Sequence, residues 1–275
     1  MIKKVLIVSK NNSYSLPLIK DVVSFLQKND VLAYGFTEDK SLLPIEKEQL
    51  NQIDAVITFG GDGTILKFAD VASIFGLPVL GINTGTVGYL TDVEKEDAFS
   101  SIKKLLEGNY KIEERHLLTA ETEEKRFCAL NEAVIHRGSS AHILTIKIKI
   151  DGIDIDTVRA DGIIVSTPTG STAYNLSAGG PIVAPLSDIL VLTPICAHSL
   201  TARPIVIAHD NVIELTVSNF RSENLPSLDI DGKTVTTLKE NQKVYLRTAD
   251  RSLKLIRTRD NKFFEILQKK LNLIK

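Results

Sequence analysis

Three stretches of the chain carry residue types and spacings suited to chemistry on phosphate and sugar oxygens. The first is Gly60-Gly61-Asp62-Gly63-Thr64. Glycines there let backbone N–H groups approach an anion without a Cβ in the way. A helix opening at Thr64 would aim its N-terminus at the same point. Asp62 is the unusual member, because a carboxylate repels phosphate. It has a purpose if it accepts the proton of an attacking hydroxyl or holds Mg²⁺ through water. A turn aspartate bonding its own backbone is the plain reading, and on residue type alone the two weigh evenly.

The second stretch runs from Asp161 to Gly180 and contains Ser166-Thr167-Pro168-Thr169-Gly170-Ser171-Thr172-Ala173-Tyr174-Asn175-Leu176-Ser177. A strand enters a hydroxyl-rich turn and a short helix. Hydroxyls suit ribose and phosphate oxygens, and Tyr174 has a ring to stack on a base. Thr169 or Ser171 as helix caps would explain one hydroxyl, not so many. The third is Asn131-Glu132 inside an apolar run. It suits ribose hydroxyls or a carboxamide, although a polar pair on an edge strand is the favoured reading without context.

Other chemistries find no support. The five histidines lack HxxxH or HxH spacing, the two cysteines form no CxxC, and no metal ligand is assigned. There is no G-x-S-x-G elbow. Gly61-Asp62-Gly63-Thr64-Ile65-Leu66 lacks the third glycine of a dinucleotide fingerprint, and Gly232-Lys233-Thr234 has Ser227 where a P-loop needs glycine.

The elements that must position these residues fall into two halves. Val5–Val8, Val31–Phe36, Ala55–Phe59 and Leu77–Ile82 read as strands. Pro17–Gln27, the run from Thr64 to Phe75, and Asp92–Glu107 read as helices, with Lys40–Gln52 a connection. Such alternation predicts a parallel sheet covered by helices. Seven of the sixteen glycines lie between residues 60 and 88, in what reads as two loops after strands. Ligands bind outside the carboxyl ends of strands in such sheets. Beyond residue 115 the chain reads as β-rich, with strands at 116–120, 126–136, 146–150, 153–159, 204–208, 212–218, 243–248 and 252–257. Its short helices are expected at Ser171–Ala178 and Ser187–Leu192, and Phe263–Leu273 reads as a docking helix. The expected fold class is an α/β domain with a parallel sheet over residues 1–115, a β-rich domain over 116–258, and a tail, 259–275, docking back on the first.

The chain has 275 residues, 43% hydrophobic, with a formal net charge of −1. That excludes a disordered chain and argues against a dedicated nucleic-acid binder, which needs a basic surface. No apolar run reaches the length of a membrane helix. Two cysteines fit a reducing compartment, so a cytoplasmic protein without a membrane or nucleic-acid partner is expected.

Taken together, Gly60–Thr64, Asn131-Glu132 and Asp161–Gly180 resemble the bacterial and archaeal NAD kinases in order and spacing, over most of the chain. The resemblance implies transfer of a phosphoryl group from ATP, or polyphosphate, to the adenosine 2′-hydroxyl of NAD. It implies a divalent cation, with Mg²⁺ expected, and a homodimer or homotetramer. In its terms Asp62 is the proton acceptor, and Gly60, Gly61, Gly63 and Thr64 form the phosphate loop. Asp62, Gly63 and Lys67 contact the dinucleotide; Asn131, Glu132, Arg159 and Asp161 hold its nicotinamide half. Thr172, Ala173, Tyr174 and Ser177 hold the adenosine end, with Asn175 and Leu176 in the same NAD-binding segment. The chain departs from the common pattern at Val87, Tyr89, His142, Ala197 and Lys233. A diacylglycerol-type lipid kinase would share the first motif but show an apolar or basic membrane-facing surface. A non-catalytic dinucleotide sensor would not need Asp62.

Overall fold

Apolar runs of four to six residues, separated by polar turns, build the first sheet. The computed structural model describes residues 2–10, 17–36, 42–85, 88–91, 93–138, 142–220, 225–260 and 263–271. It divides into two units, residues 1–114 with 253–275, and residues 115–252.

In the first unit the strands are β1 (Lys4–Ser9), β2 (Leu32–Gly35), β3 (Leu43–Pro44), β4 (Ala55–Gly60), β5 (Val79–Asn83) and β6 (Val93–Glu94). All are parallel, in the order β3-β2-β1-β4-β5, with β6 on β5. Every residue of β4 and β5 is buried, as in a parallel sheet covered on both faces. The helices are α1 (Pro17–Lys28), α2 (Asp62–Ile74) and α3 (Ala98–Glu107). α1 buries Ile19, Val22, Val23 and Leu26 against Val5, Ile7 and Ile57 of the same apolar core. α3 ends on Gly108, whose φ of 75° is the left-handed cap glycine favours.

Three expectations here are corrected. α2 opens at Asp62, two residues before Thr64, because Gly61 is extended and starts the helix without a side-chain cap. The helix expected from Asp92 begins at Ala98, after β6 and a 3₁₀ turn at Lys95–Asp97; Asp92 lies outside the described residues. The Lys40–Gln52 connection contains β3 and a 3₁₀ helix, Lys47–Gln52, which buries Leu50. The glycines are also more dispersed than two loops: Gly81 lies within β5 and Gly76 just beyond α2.

The chain passes into the second unit within β7 (Lys111–Glu121). There follow β8 (Arg126–Ala129), β9 (Glu132–His136), β10 (Leu144–Ile150), β11 (Ile153–Ala160), β12 (Gly162–Ser166), α4 (Tyr174–Ser177), β13 (Ile189–Ile195), β14 (Ile205–Ala208), β15 (Ile213–Ser218), β16 (Ser227–Ile230) and β17 (Lys233–Thr237). The chain returns within β18 (Lys243–Arg257) and closes with α5 (Phe263–Leu271). An antiparallel sheet in the order β14-β13-β12-β9-β16-β17 and the antiparallel set β11-β10-β15-β18 fill one core, including Ile135, Ile163, Leu144, Ile146 and Leu215. In the first unit, Leu255 of β18 pairs with Val79 of β5.

The expected 126–136 strand is two strands. β8 pairs with β7, whereas β9 lies between β12 and β16, and the bend between them falls at Leu130-Asn131. Asn131 therefore precedes the strand and Glu132 opens it. Ser187–Leu192 is not a helix; Leu190–Thr193 are fully buried in β13, between β12 and β14. The strands expected at 243–248 and 252–257 are one, β18. The β16–β17 hairpin turns at Asp231-Gly232, both with positive φ, the pair such a turn favours. Among the described residues no helix is long and apolar enough to cross a membrane.

Candidate active site

In the first unit the site grows from the junction of β4 and α2. Asp62 is in the first turn of α2, where the positive end of the helix favours a carboxylate. That carboxylate also gathers a segment almost thirty residues away. The Tyr89 amide donates to Oδ2 at 2.7 Å; the Leu90 and Thr91 amides and the Thr91 hydroxyl each donate to Oδ1 at 3.0 Å. Gly88 is obligatory beside it, because an added Cβ would overlap Asp62 Oδ1. Gly60 is similarly constrained, since a Cβ there would overlap Thr64 Oγ1. Oδ1 is thus saturated, while Oδ2 takes one of these donors and keeps acceptor capacity.

A cleft of about 410 Å³ opens beside the loop. Gly61, Gly63 and Thr64 form one wall, Lys10 and Lys67 bring two cations, and Phe36 and Phe68, with ring centroids 6.4 Å apart, supply an apolar side. Burial and the Asp62 charge push the Tyr89 hydroxyl above its ordinary value. The Tyr89 ring lies 5.7 Å from that of Phe263, and Lys270 Nζ sits 4.5 Å above it.

In the second unit Asp231 does for Asn131-Glu132 what Asp62 does for Tyr89–Thr91. Its carboxylate accepts the amides of Leu130, Asn131 and Glu132 at 2.8, 2.8 and 3.1 Å. Glu132 is 5% exposed, and its Oε2 has no hydrogen-bond partner. Burial, and then the neighbouring Asp231 charge, push its carboxyl up to about 8.

The hydroxyl-rich turn uses most of its buried hydroxyls on itself. Thr167 Oγ1 donates to Leu130 O at 2.6 Å and accepts the Gly170 amide; Ser171 Oγ donates to Pro168 O at 2.7 Å. Ser166 Oγ donates to Thr167 O, and Thr169 Oγ1 accepts from the buried Arg115. These bonds shape the turn. Neither Thr169 nor Ser171 is a cap: both lie inside a 3₁₀ helix, Thr169–Thr172, which Pro168 precedes, and Ala173 holds the N-cap position of α4. Asn175 is fully buried, its amide donating to Ser171 O and Pro181 O and accepting from Thr193, so it braces the segment. Tyr174 and Ser177 are exposed, and Thr172, Ala173 and Leu176 half-buried, presenting the surface a ligand can reach.

Asp161 forms an ion pair with Arg137, Oδ1 to Nε at 2.9 Å, and Arg159 is exposed on β11. Sequence reasoning missed Asp231, Arg137 and Thr91. The Asp-Gly turn signal marks Asp231; nothing in the sequence marks the other two. Among the described residues no three His, Cys, Asp or Glu side chains converge to hold a metal, and the saturated Oδ1 of Asp62 does not fit a protein-built cation site.

Residues 20–110 match the model of the ATP-NAD kinase N-terminal domain, and residues 130–258 that of the ATP-NAD kinase C-terminal domain. The chain belongs to the NAD kinase family. The NAD kinase of Caldicellulosiruptor saccharolyticus is 38% identical over 258 residues, 94% of each chain. That of Heliobacterium modesticaldum is 40% identical over 233 residues, 83% of this chain and 82% of the relative. Among solved structures, yeast NADH kinase complexed with NADH has a TM-score of 0.88 at 25% identity, covering 99% of this chain and 88% of that one. An NAD kinase from Archaeoglobus fulgidus in complex with ATP has a TM-score of 0.78 at 25% identity, covering 99% and 100%. Of the positions expected to depart from the common NAD kinase pattern, Val87 lies outside the described residues. Tyr89 is an Asp62 ligand through its backbone, and Lys233 is exposed just after the β16–β17 turn.

Proposed function

We propose that this chain transfers the γ-phosphoryl group of ATP to the 2′-hydroxyl of the adenosine ribose of NAD, giving NADP, with Asp62 as proton acceptor. The observation that carries the reading is the state of Asp62. Oδ1 is pinned by three donors, so the carboxylate cannot turn, and Oδ2 keeps a lone pair for a substrate hydroxyl. Phosphoryl transfer asks mainly for such positioning and for charge stabilisation. Gly61, Gly63 and Thr64 and the ammonium of Lys67 would face phosphate oxygens in the cleft, with Gly60, buried at the end of β4, setting the start of the loop. Mg²⁺ would neutralise charge on the ATP phosphates, held by those oxygens rather than by side chains of this chain.

For the dinucleotide, Asn131 and Glu132 would take the nicotinamide ribose and carboxamide, the unpaired Glu132 Oε2 being the group that most needs a partner. Arg159 and Asp161 would line the same half. Tyr174, Thr172, Ala173, Leu176 and Ser177 would hold the adenosine end, with Asn175 behind them. Polyphosphate as donor, a cytoplasmic location and a homodimer or homotetramer belong to the same reading. Incubation with NAD, ATP and Mg²⁺, followed by an NADP-specific dehydrogenase assay, tests it. NADP accumulation at a rate proportional to enzyme is expected; its absence with NAD bound would leave a sensor instead.

A further inference from the structure

A buried ion pair outside the motifs is connected to Asp62 through one peptide plane. Glu113, on β7, and Arg257, at the end of β18, are each 8% exposed. Arg257 Nε and one terminal nitrogen donate to Glu113 Oε1 at 3.2 and 2.8 Å. The other terminal nitrogen donates to the carbonyl of Leu90 at 2.9 Å. That carbonyl shares its peptide group with the amide of Thr91, which donates to Asp62 Oδ1 at 3.0 Å. A peptide group is planar and its C=O and N–H point opposite ways when trans, and among the described residues no peptide is cis. Fixing the carbonyl therefore fixes the direction of the N–H that aims at Asp62.

Desolvating two charges is costly, and an apolar pair of similar volume often serves stability as well. A guanidinium offers what an apolar pair does not, a rigid fork that bonds in two directions at once. On another side of the segment, Phe263 and Lys270 of α5 pack against the Tyr89 ring, next to the amide that donates to Asp62 Oδ2. We propose that Glu113 and Arg257 are positioning residues for Asp62, acting through the Leu90–Thr91 peptide, with α5 as a second brace on Tyr89. The inference rests on the reading of Asp62 as proton acceptor.

The test is R257K, which keeps the charge and loses the fork, compared with wild type, D62N and the double variant in steady-state NADP formation at high enzyme concentration. R257K should lower kcat about 10–100-fold, the scale expected for an ångström-scale misplacement, with KM for NAD and ATP within about threefold. In the D62N background the same change should alter the residual rate less than about twofold. E113Q, which keeps an acceptor and the shape of the site, should fold where R257K does not and lower kcat less. A kcat within twofold of wild type for the folded variants, a loss confined to KM, or an equal loss in both backgrounds overturns the proposal alone. Retention of wild-type kcat by D62N overturns the Asp62 reading and this proposal with it.

Discussion

The amide of Tyr89 donates to Asp62 Oδ2 at 2.7 Å, joining the start of α2 to a segment that follows β5. The contact is possible only because Gly88, one residue earlier, carries no side chain: a Cβ there would overlap both Asp62 and Thr91. Gly88→Ala should therefore push the carboxylate out of place. The expected result is a loss of kcat of tenfold or more, with a stability loss of about 1–3 kcal/mol from overpacking. Steady-state kinetics and thermal denaturation together check it.

Asp231 holds three consecutive amides at the entry to β9. Asp231→Asn weakens those charge-assisted bonds, so Asn131-Glu132 should lose definition. KM for NAD is expected to rise about tenfold or more, in line with hydrogen bonds to charged groups worth about 1.5–3 kcal/mol. An unchanged NAD affinity by calorimetry would contradict that role.

Glu132 sets a pH dependence whose sign is fixed. Its carboxyl is raised from 4.5 to about 8, chiefly by burial. Between those values the folded chain keeps a proton the unfolded chain has lost, so stability falls as pH rises through the window and levels off above 8. The full shift corresponds to on the order of 4–5 kcal/mol. Glu132→Gln removes this contribution. Its thermal midpoint should gain on wild type steadily from pH 5 to pH 8; a constant difference would contradict the assignment.

Tyr174 is 45% exposed beside the hydroxyl-rich turn. Tyr174→Ala should weaken NAD binding by an amount typical of base stacking, about 1–3 kcal/mol, and leave stability within about 0.5 kcal/mol. Calorimetric titration with NAD and a melting curve separate the two.

The first unit was legible because local signals and tertiary structure agree. The apolar strands, the α1 face Ile19-Val22-Val23-Leu26 and the Gly108 cap all follow from spacing. The second unit was less so. A short apolar run such as Ile189–Leu192 does not reveal by periodicity whether it is helix or strand; its neighbours β12 and β14 make it a strand. β16 and β17 carry Ser227, Asp229, Lys233 and Thr234, too polar to announce a hairpin, and only β9 alongside β16 gives them a place. At the site, residue type left Asp62 evenly balanced and counted against Glu132, and of the groups that hold them only Asp231 carries a sequence signal, its Asp-Gly turn. Thr91 lies 29 residues from Asp62, and the backbone donors carry no side-chain signature at all. The partners of the Ser166–Ser171 hydroxyls were no more legible: the fold brings the Leu130 carbonyl to Thr167 and the Arg115 guanidinium to Thr169, while Ser166 and Ser171 bond to carbonyls within the turn.

The central claim is that Asp62 accepts the proton of the attacking hydroxyl, and Asp62→Asn tests it most directly. Asparagine keeps the acceptor that Leu90 and Thr91 use, gives up the one that Tyr89 uses, and has no basic oxygen for the substrate. Single-turnover NADP formation and NAD titration on the same preparation should show a rate lower by about 10²–10⁴-fold, with the NAD dissociation constant within about threefold. A variant that binds NAD normally and forms NADP at close to the wild-type rate would contradict the account.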